Sequence, residues 1–232
     1  MIKAIIFDLD GTLADTMPDL QTAMNNMLTR LGYRPRTRAD LIMAINNGAK
    51  EFVSRSLPKD VQGVDFILQS AIDTYEEEYS RCYCDNTKAY SGIEAMLMDL
   101  KAMGIKLSVL SNKQDTFVKN IVAKLFDKKI FTGIQGQTTA PMKPNPVSAL
   151  ALAKAMGVKP SRCLFIGDSD VDIETANNAG MRSIGVAWGY RDEILLLEKG
   201  ATYIAKEPNN IISIVSELKN EKERKIVRTK KQ

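Results

Sequence analysis

Apolar positions along most of this chain switch between a helical spacing and short continuous runs. Ile93, Met96, Leu97, Leu100 and Met103 mark one helix face, and Gly104 is placed to stop that helix. Residues 105–110 read as a buried strand. Phe117, Val118, Ile121, Val122 and Leu125 give a second helix, and a short apolar patch follows at Ile130, Phe131 and Ile134. A helix is predicted over about residues 147–156, stopped by Gly157. Residues 163–166 read as a strand, 173–179 as a helix closed by Gly180, and 183–186 as a strand. Tyr203 and Ile204 form a last short strand before a helix near residues 209–218. Strands alternating with amphipathic helices imply an α/β protein, with a Rossmann-like parallel sheet covered on both faces.

Residues 16–82 break that alternation. Leu20, Ala23, Met24, Met27, Leu28 and Leu31 line one face of a helix that begins near Thr16, Met17 and Pro18 and stops at Gly32. Further helical stretches run over about residues 41–45 and 52–57. A longer one carries Val64, Ile67, Leu68, Ala71, Ile72, Tyr75 and Tyr79. No strand signal separates them. The predicted organisation is a sheet domain from residues 1–15 and 86–220, an inserted all-helical cap over 16–85, and a basic tail over 221–232.

Composition removes several kinds of chemistry. The chain has 232 residues, 44% hydrophobic and 26% charged, which suits a soluble globular protein with a real core. Its net charge of +4 gathers at the end, where Lys222, Arg224, Lys225, Arg228, Lys230 and Lys231 outnumber Glu221 and Glu223. A solvated terminus accounts for such a run, so neither a nucleic acid nor a membrane is an expected partner. Cys82, Cys84 and Cys163 make no disulfide framework, and the Cys-x-Cys pair lacks the second pair of a structural zinc site. The chain has no histidine, which excludes Ser-His-Asp and Cys-His catalysis and imidazole bases. No charged leader precedes a long apolar stretch and no window approaches a membrane span, so the cytoplasm is the expected location.

The unusual polar residues collect where predicted strands end. The first strand closes on Asp8-Leu9-Asp10-Gly11-Thr12, two like charges that a fold keeps only with compensation. On a strand, residues two apart point the same way, so Asp8 and Asp10 are expected to share a face; a divalent cation is the usual compensator. Ser111-Asn112-Lys113 follows the strand ending at Leu110, and Gly167-Asp168-Ser169-Asp170-Val171-Asp172 follows the strand ending at Ile166. Lys143-Pro144-Asn145-Pro146 precedes a helix. Ligands of open α/β sheets bind at these carboxyl ends. A carboxylate can take a phosphoryl group, a second carboxyl can protonate the leaving oxygen and then activate water, and magnesium prefers oxygen ligands. Hydroxyls of Thr12 and Ser111 and the ammonium of Lys143 suit a transferring phosphoryl group.

These four segments, in this order, resemble the signature motifs of the haloacid dehalogenase superfamily over the whole chain except the basic tail. The resemblance implies Asp8 as nucleophile, Asp10 as general acid and base, and Lys143 as the stabilising lysine. It implies phosphate binding by Thr12, Ser111, Asn112 and Lys143. Mg2+ would sit between the Asp8 carboxylate, the Asp10 main-chain carbonyl and Asp168, with Asp172 in or just behind the ligand shell. The helical insert, with Asp15-Thr16, Asn47-Gly48-Ala49, Ser111-Asn112-Lys113 and Lys143-Pro144-Asn145-Pro146, is similar to the phosphoglycolate phosphatase branch. Asn47 and Gly48 then become candidate substrate contacts from the cap. The implied activity is hydrolysis of a small phosphorylated metabolite, 2-phosphoglycolate first, by a monomer or dimer. An inorganic pyrophosphatase or 5′-nucleotidase on the same scaffold is the alternative enzyme, and a silent binding protein the alternative outside catalysis. An acid two residues after the nucleophile argues against dehalogenation, and the absence of histidine against the β-phosphoglucomutase branch.

Simpler readings stand beside several of these residues. Ser111 can cap a helix, Asn47-Gly48 can be a turn, and Asp170 reads as a solvated turn residue outside the site. Arg55 reads as part of a solvated helix face, the methionines as core filler, and Trp188 as packing.

Overall fold

A computed structural model of the chain describes residues 1–229, with side chains through Lys219; the basic side chains from residue 221 onward lie outside the described residues. In chain order the elements are β1 (Ala4–Phe7), β2 (Ala14–Asp15), α1 (Met17–Arg30), α2 (Arg38–Ala44), α3 (Gly48–Ser56) and α4 (Asp65–Cys82). Then come β3 (Lys88–Ala89), α5 (Ile93–Ala102), β4 (Lys106–Gln114), α6 (Asp115–Leu125), β5 (Phe131–Gln137) and α7 (Val147–Ala155). The chain continues through β6 (Cys163–Gly167), α8 (Asp170–Asn178), β7 (Arg182–Val186), α9 (Glu193–Glu198), β8 (Tyr203–Ala205) and α10 (Pro208–Thr229).

Six strands form one sheet in the order β5-β4-β1-β6-β7-β8, every pair parallel. The first strand lies at its centre because all four of its residues are apolar and serve both faces. Ile5 and Phe7 join a cluster with Leu97, Val118, Ile121 and Ile211, on α5, α6 and α10. Ala4 and Ile6 join a second cluster with Ala149, Leu152, Phe165 and Ala176, on α7, β6 and α8. A strand covered on both sides needs apolar residues at every position, and this one has them.

The helices of residues 17–82 build a separate apolar cluster from Leu20, Met24, Met27, Leu41, Phe52, Val53, Tyr75 and Tyr79. They leave the sheet domain through β2 and return through β3, which pair antiparallel with Ala14 opposite Ala89 and Asp15 opposite Lys88. Sequence periodicity could not register a ladder of two residues per strand. Behind it, fully buried Asp19 of α1 accepts hydrogen bonds from the Asn86 and Thr87 main-chain N–H groups at 2.9 and 2.8 Å. The Asn86 amide and the Thr87 hydroxyl add two more, at 3.1 and 2.7 Å. Asp19→Asn keeps the shape but turns an amide toward donors, and donors left unpaired in a buried site cost about 1–3 kcal/mol each. The expected result is a loss of about 2–4 kcal/mol in denaturant unfolding; a change below about 0.5 kcal/mol would mean the crossing is held elsewhere.

Several boundaries differ from the sequence expectation. The apolar patch at Ile130, Phe131 and Ile134 runs from a short 3-10 turn ending at Ile130 into the edge strand β5, whose glycines and polar residues hide it from periodicity. Strand β4 runs past Leu110 to Gln114, with its pairing to β5 shifting register between Leu110 and Gln114. Ser111, Asn112 and Lys113 therefore sit inside a strand, and Ser111 caps no helix. Helix α8 begins at Asp170, not Ile173. Asp168 precedes that helix, so Asp168 and Asp172 do not share a helical face.

Candidate active site

The carboxyl ends of β1, β4 and β6 converge beneath the helices of residues 17–82, around a cavity open to solvent. Asp8, Asp10, Ser111, Asn112, Lys113, Lys143 and Ser169 line it from the sheet side. Asp8 and Asp10 both line the cavity but pair with different lysines, Lys143 and Lys113. Strand β1 ends at Phe7, and Gly11 turns the backbone with a φ of 78° that only glycine adopts without strain. A Cβ at Gly11 would also collide with the Asp168 carboxylate.

Asp8 faces Lys143, Asp168 and Asp172. Lys143 Nζ stands 2.9 Å from Asp8 Oδ1 and 2.7 Å from Asp172 Oδ1, with its side chain 3% exposed. Lys143 is thus the ion-pair partner of the buried Asp8 Oδ1. Burial, then repulsion from Asp172, pushes the Asp8 carboxyl well above the usual range, while Lys143 pulls it back. Asp10 is the weakest of the named repulsive neighbours, although it is the one adjacent in sequence. The Lys143 ammonium is raised despite its burial, by Asp172 and then Asp8.

Asp168 is held between Thr12, whose hydroxyl donates to Oδ1 at 3.1 Å, and the Tyr190 N–H, which donates to Oδ2 at 2.7 Å. Burial and the nearby Asp172 push its carboxyl up to about 7. Thr12 thus spends its hydroxyl on Asp168 and does not line the cavity. Asp172 is fixed by a capping box: Ser169 Oγ donates to Asp172 Oδ2 at 2.6 Å, and the Asp172 N–H donates to Ser169 Oγ at 3.3 Å. One oxygen from each of Asp8, Asp168 and Asp172 lies within 4.8 Å of the others, and all three residues are buried. Three carboxylates face one ammonium. The excess of carboxyl groups over ammonium and the hard oxygen donors fit one divalent cation such as magnesium.

Asp10 turns the other way. Thr16 Oγ1 donates to its Oδ1, Lys113 Nζ pairs with the same oxygen at 2.9 Å, and Ser111 Oγ approaches Oδ2 at 3.4 Å. Lys113 also lies 4.9 Å above the Tyr79 ring. Asn112 uses its whole amide on neighbours: Oδ1 accepts from the Lys143 N–H at 2.8 Å, and Nδ2 donates to the carbonyls of Lys143 and Asn46 at 3.0 and 3.3 Å.

The upper wall is mostly apolar and aromatic. Leu20, Ile45, Phe52, Tyr75 and Tyr79 form it, with Asn46, Gly48 and Glu76 as its polar points. Gly48 lines the cavity as expected. Asn47 does not, because its amide oxygen, oriented by its neighbours, accepts from both terminal nitrogens of Arg55, at 2.9 and 3.2 Å. Arg55, also paired with Glu51 at 3.5 Å, stays on an exposed helix face. Sequence reading missed Tyr75, Tyr79 and Glu76, since helical spacing had already assigned the tyrosines to the core, and it placed Asn46 in the cap loop without a role of its own. It also missed residues 188–190. Trp188 Nε1 donates to the Thr12 carbonyl at 3.0 Å, and a Cβ at Gly189 would strike Asp168.

The haloacid dehalogenase-like hydrolase family matches residues 5–186. A protein of Pseudomonas syringae pv. tomato named phosphoglycolate phosphatase is 33% identical over 215 residues, covering 90% of this chain and 78% of its own. One of Psychrobacter arcticus with the same name is 34% identical over 194 residues, covering 81% and 84%. A crystal structure from Haemophilus somnus 129pt, described as a predicted phosphoglycolate phosphatase, superimposes with a TM-score of 0.84 at 27% identity, covering 92% of this chain and 98% of that one. The chain belongs to the haloacid dehalogenase-like hydrolase family. Among the described residues, no helix is long and apolar enough to cross a membrane.

Proposed function

We propose that this chain is a magnesium-dependent phosphomonoesterase that works through an aspartyl phosphate on Asp8. The observation that carries the reading is the buried Asp8 carboxylate at the floor of the cavity, ion-paired with Lys143 at 2.9 Å and gathered with two further carboxylates. Phosphatase activity accords with the relatives' names, and 2-phosphoglycolate is the leading substrate because those relatives carry it in theirs.

In the proposed reaction an Asp8 oxygen attacks phosphorus as the bond to the leaving oxygen breaks, and Asp10 gives that oxygen a proton. A water then attacks the acyl phosphate, Asp10 takes its proton, and the bond from phosphorus to Asp8 breaks. Lys143 balances charge on the transferring group, and Asp172 and Asn112 hold Lys143 at side chain and main chain. Ser111 turns its weakly held hydroxyl to the phosphoryl oxygens. Asp8, Asp168, the Asp10 carbonyl and Asp172 are the residues to hold magnesium. When bound it would neutralise the nucleophile's surroundings and polarise the phosphoryl oxygens.

Turnover of a panel of phosphorylated metabolites and of 4-nitrophenyl phosphate, with and without magnesium, tests this reading. Release of phosphate from a metabolite monoester is the expected result. Release only from pyrophosphate or from nucleotides would select the alternative enzymes, and none from any compound would select the silent binding protein.

We propose further that the helices of residues 16–85 act as a lid that chooses the leaving group. Replacing residues 46–49 with a glycine-serine stretch is then expected to cut kcat/KM for the metabolite at least about tenfold more than for 4-nitrophenyl phosphate. Equal losses on both would assign the loop to folding alone.

A further inference from the structure

The segment after β7 touches four parts of the site in four consecutive residues. Trp188 reaches the loop after β1, Gly189 packs on Asp168, and Tyr190 accepts a hydrogen bond from the Thr16 N–H at 3.2 Å. Arg191 crosses to the helices above. Its two terminal nitrogens donate to the carbonyls of Ile42 and Ile45, the latter at 3.0 Å. Helix α2 ends at Ala44, so the Ile42 carbonyl belongs to a helix terminus that has no partner of its own.

The next residue is unusual in two ways. Asn46 has a φ of 124°, and among the described residues no other non-glycine has a positive φ. Its side-chain Nδ2 is buried without a hydrogen-bond partner, in a residue that lines the cavity. A strained backbone persists only where its surroundings over-determine it. Here two core side chains grip consecutive carbonyls: Arg191 holds that of Ile45, and Asn112 holds that of Asn46. An unpaired buried amide donor costs free energy, and a turn of the Asn46 side chain into the cavity would let a ligand oxygen recover it.

We infer that Asn46 is a specificity-determining residue that donates to an acceptor oxygen on the leaving group, and that Arg191 is the positioning residue that seats it. The inference rests on the phosphomonoesterase reading and adds to it. The favoured esters are those whose short leaving group carries an oxygen acceptor, such as the carboxylate of 2-phosphoglycolate. The nitro oxygens of 4-nitrophenyl phosphate are weak acceptors without net charge, set across a ring from the ester oxygen and so far from the place of that carboxylate.

Asn46→Gly removes the amide while allowing the positive φ, and Arg191→Ala releases the loop. Each is expected to lower the ratio of kcat/KM for 2-phosphoglycolate to that for 4-nitrophenyl phosphate by about tenfold, the size of one charge-assisted hydrogen bond. The double variant is expected to fall no more than about twofold below Asn46→Gly, because both changes remove one interaction. Arg191→Lys, with one ammonium for two carbonyls, is expected to lie between wild type and Arg191→Ala. Hydrogen exchange reads the positioning role without any substrate: Arg191→Ala is expected to speed the amides of residues 42–49 about tenfold or more, and those of α4 little. Unchanged exchange, losses that multiply in the double variant, or equal losses on both esters would overturn the inference. A wild type that hydrolyses the aryl ester but not 2-phosphoglycolate would overturn the assignment of Asn46. A wild type inactive on both esters would sink the phosphomonoesterase reading instead, and the exchange result would still decide the role of Arg191.

Discussion

Asp8→Asn is expected to lower turnover by at least about four orders of magnitude while the protein stays folded. The amide is nearly isosteric with the carboxylate, so the packing around β1 is kept. It cannot form the acyl phosphate, because an amide oxygen lacks the charge that drives attack. The same change removes one negative charge from a buried group of three carboxylates and one ammonium. Asp8 is the member whose ionisation burial opposes most plainly, so its neutral replacement is expected to leave thermal stability unchanged or raise it. A catalytic loss without a stability loss is therefore the signature to measure, by phosphate release and thermal unfolding on one preparation. Activity within tenfold of wild type would move the nucleophile elsewhere. A fall in activity together with a collapse of Tm would assign Asp8 to the fold.

How much of this was legible in the sequence depends on the distance over which each feature acts. The central strand and its covering helices were readable, because burial on two faces leaves a local record in apolar runs such as Ile5, Ile6 and Phe7. The polar clusters were readable for a related reason: glycines and acids at strand ends interrupt those runs. The charge balance was not. Local reasoning made Asp10 the main like-charge neighbour of Asp8, yet Asp172, from the first turn of α8, repels it most. Nor does any local pattern show that Thr12 serves Asp168, or that Asn112 splints Lys143. The upper wall was the least legible. Tyr75 and Tyr79 keep helical spacing whether they fill a core or line a cavity, and here they do both. Asn46 carried no signal of its own, since its weight comes from a backbone angle and an unpaired atom.

Removal of divalent cations is expected to abolish turnover and to make stability depend on pH in an unusual direction. Asp168 is pushed up to about 7 in the folded protein against an ordinary value of 3.8, and Asp8 is raised as well. Between those limits the folded state binds more protons than the unfolded one. Stability without metal therefore falls as pH rises from about 4 to about 7, and further where Asp8 titrates, the reverse of a carboxylate held in a favourable salt bridge. Lys143 does not alter this window, because its ammonium is raised and stays protonated throughout. A divalent cation takes the place of the bound protons, so the rise in Tm on adding magnesium is expected to be larger at pH 8 than at pH 5.5. Activity with magnesium should fall on the acid side as protons compete for Asp168 and Asp8. Calcium, which takes six to eight oxygens in a looser shell, is expected to bind and stabilise but not to support turnover, since it draws both oxygens of the nucleophile toward itself. Thermal unfolding and phosphate release across that pH range, in chelator, magnesium and calcium, check each arm. Full activity in chelator, or a magnesium shift in Tm that is the same at both pH values, would show that the three carboxylates hold no catalytic cation.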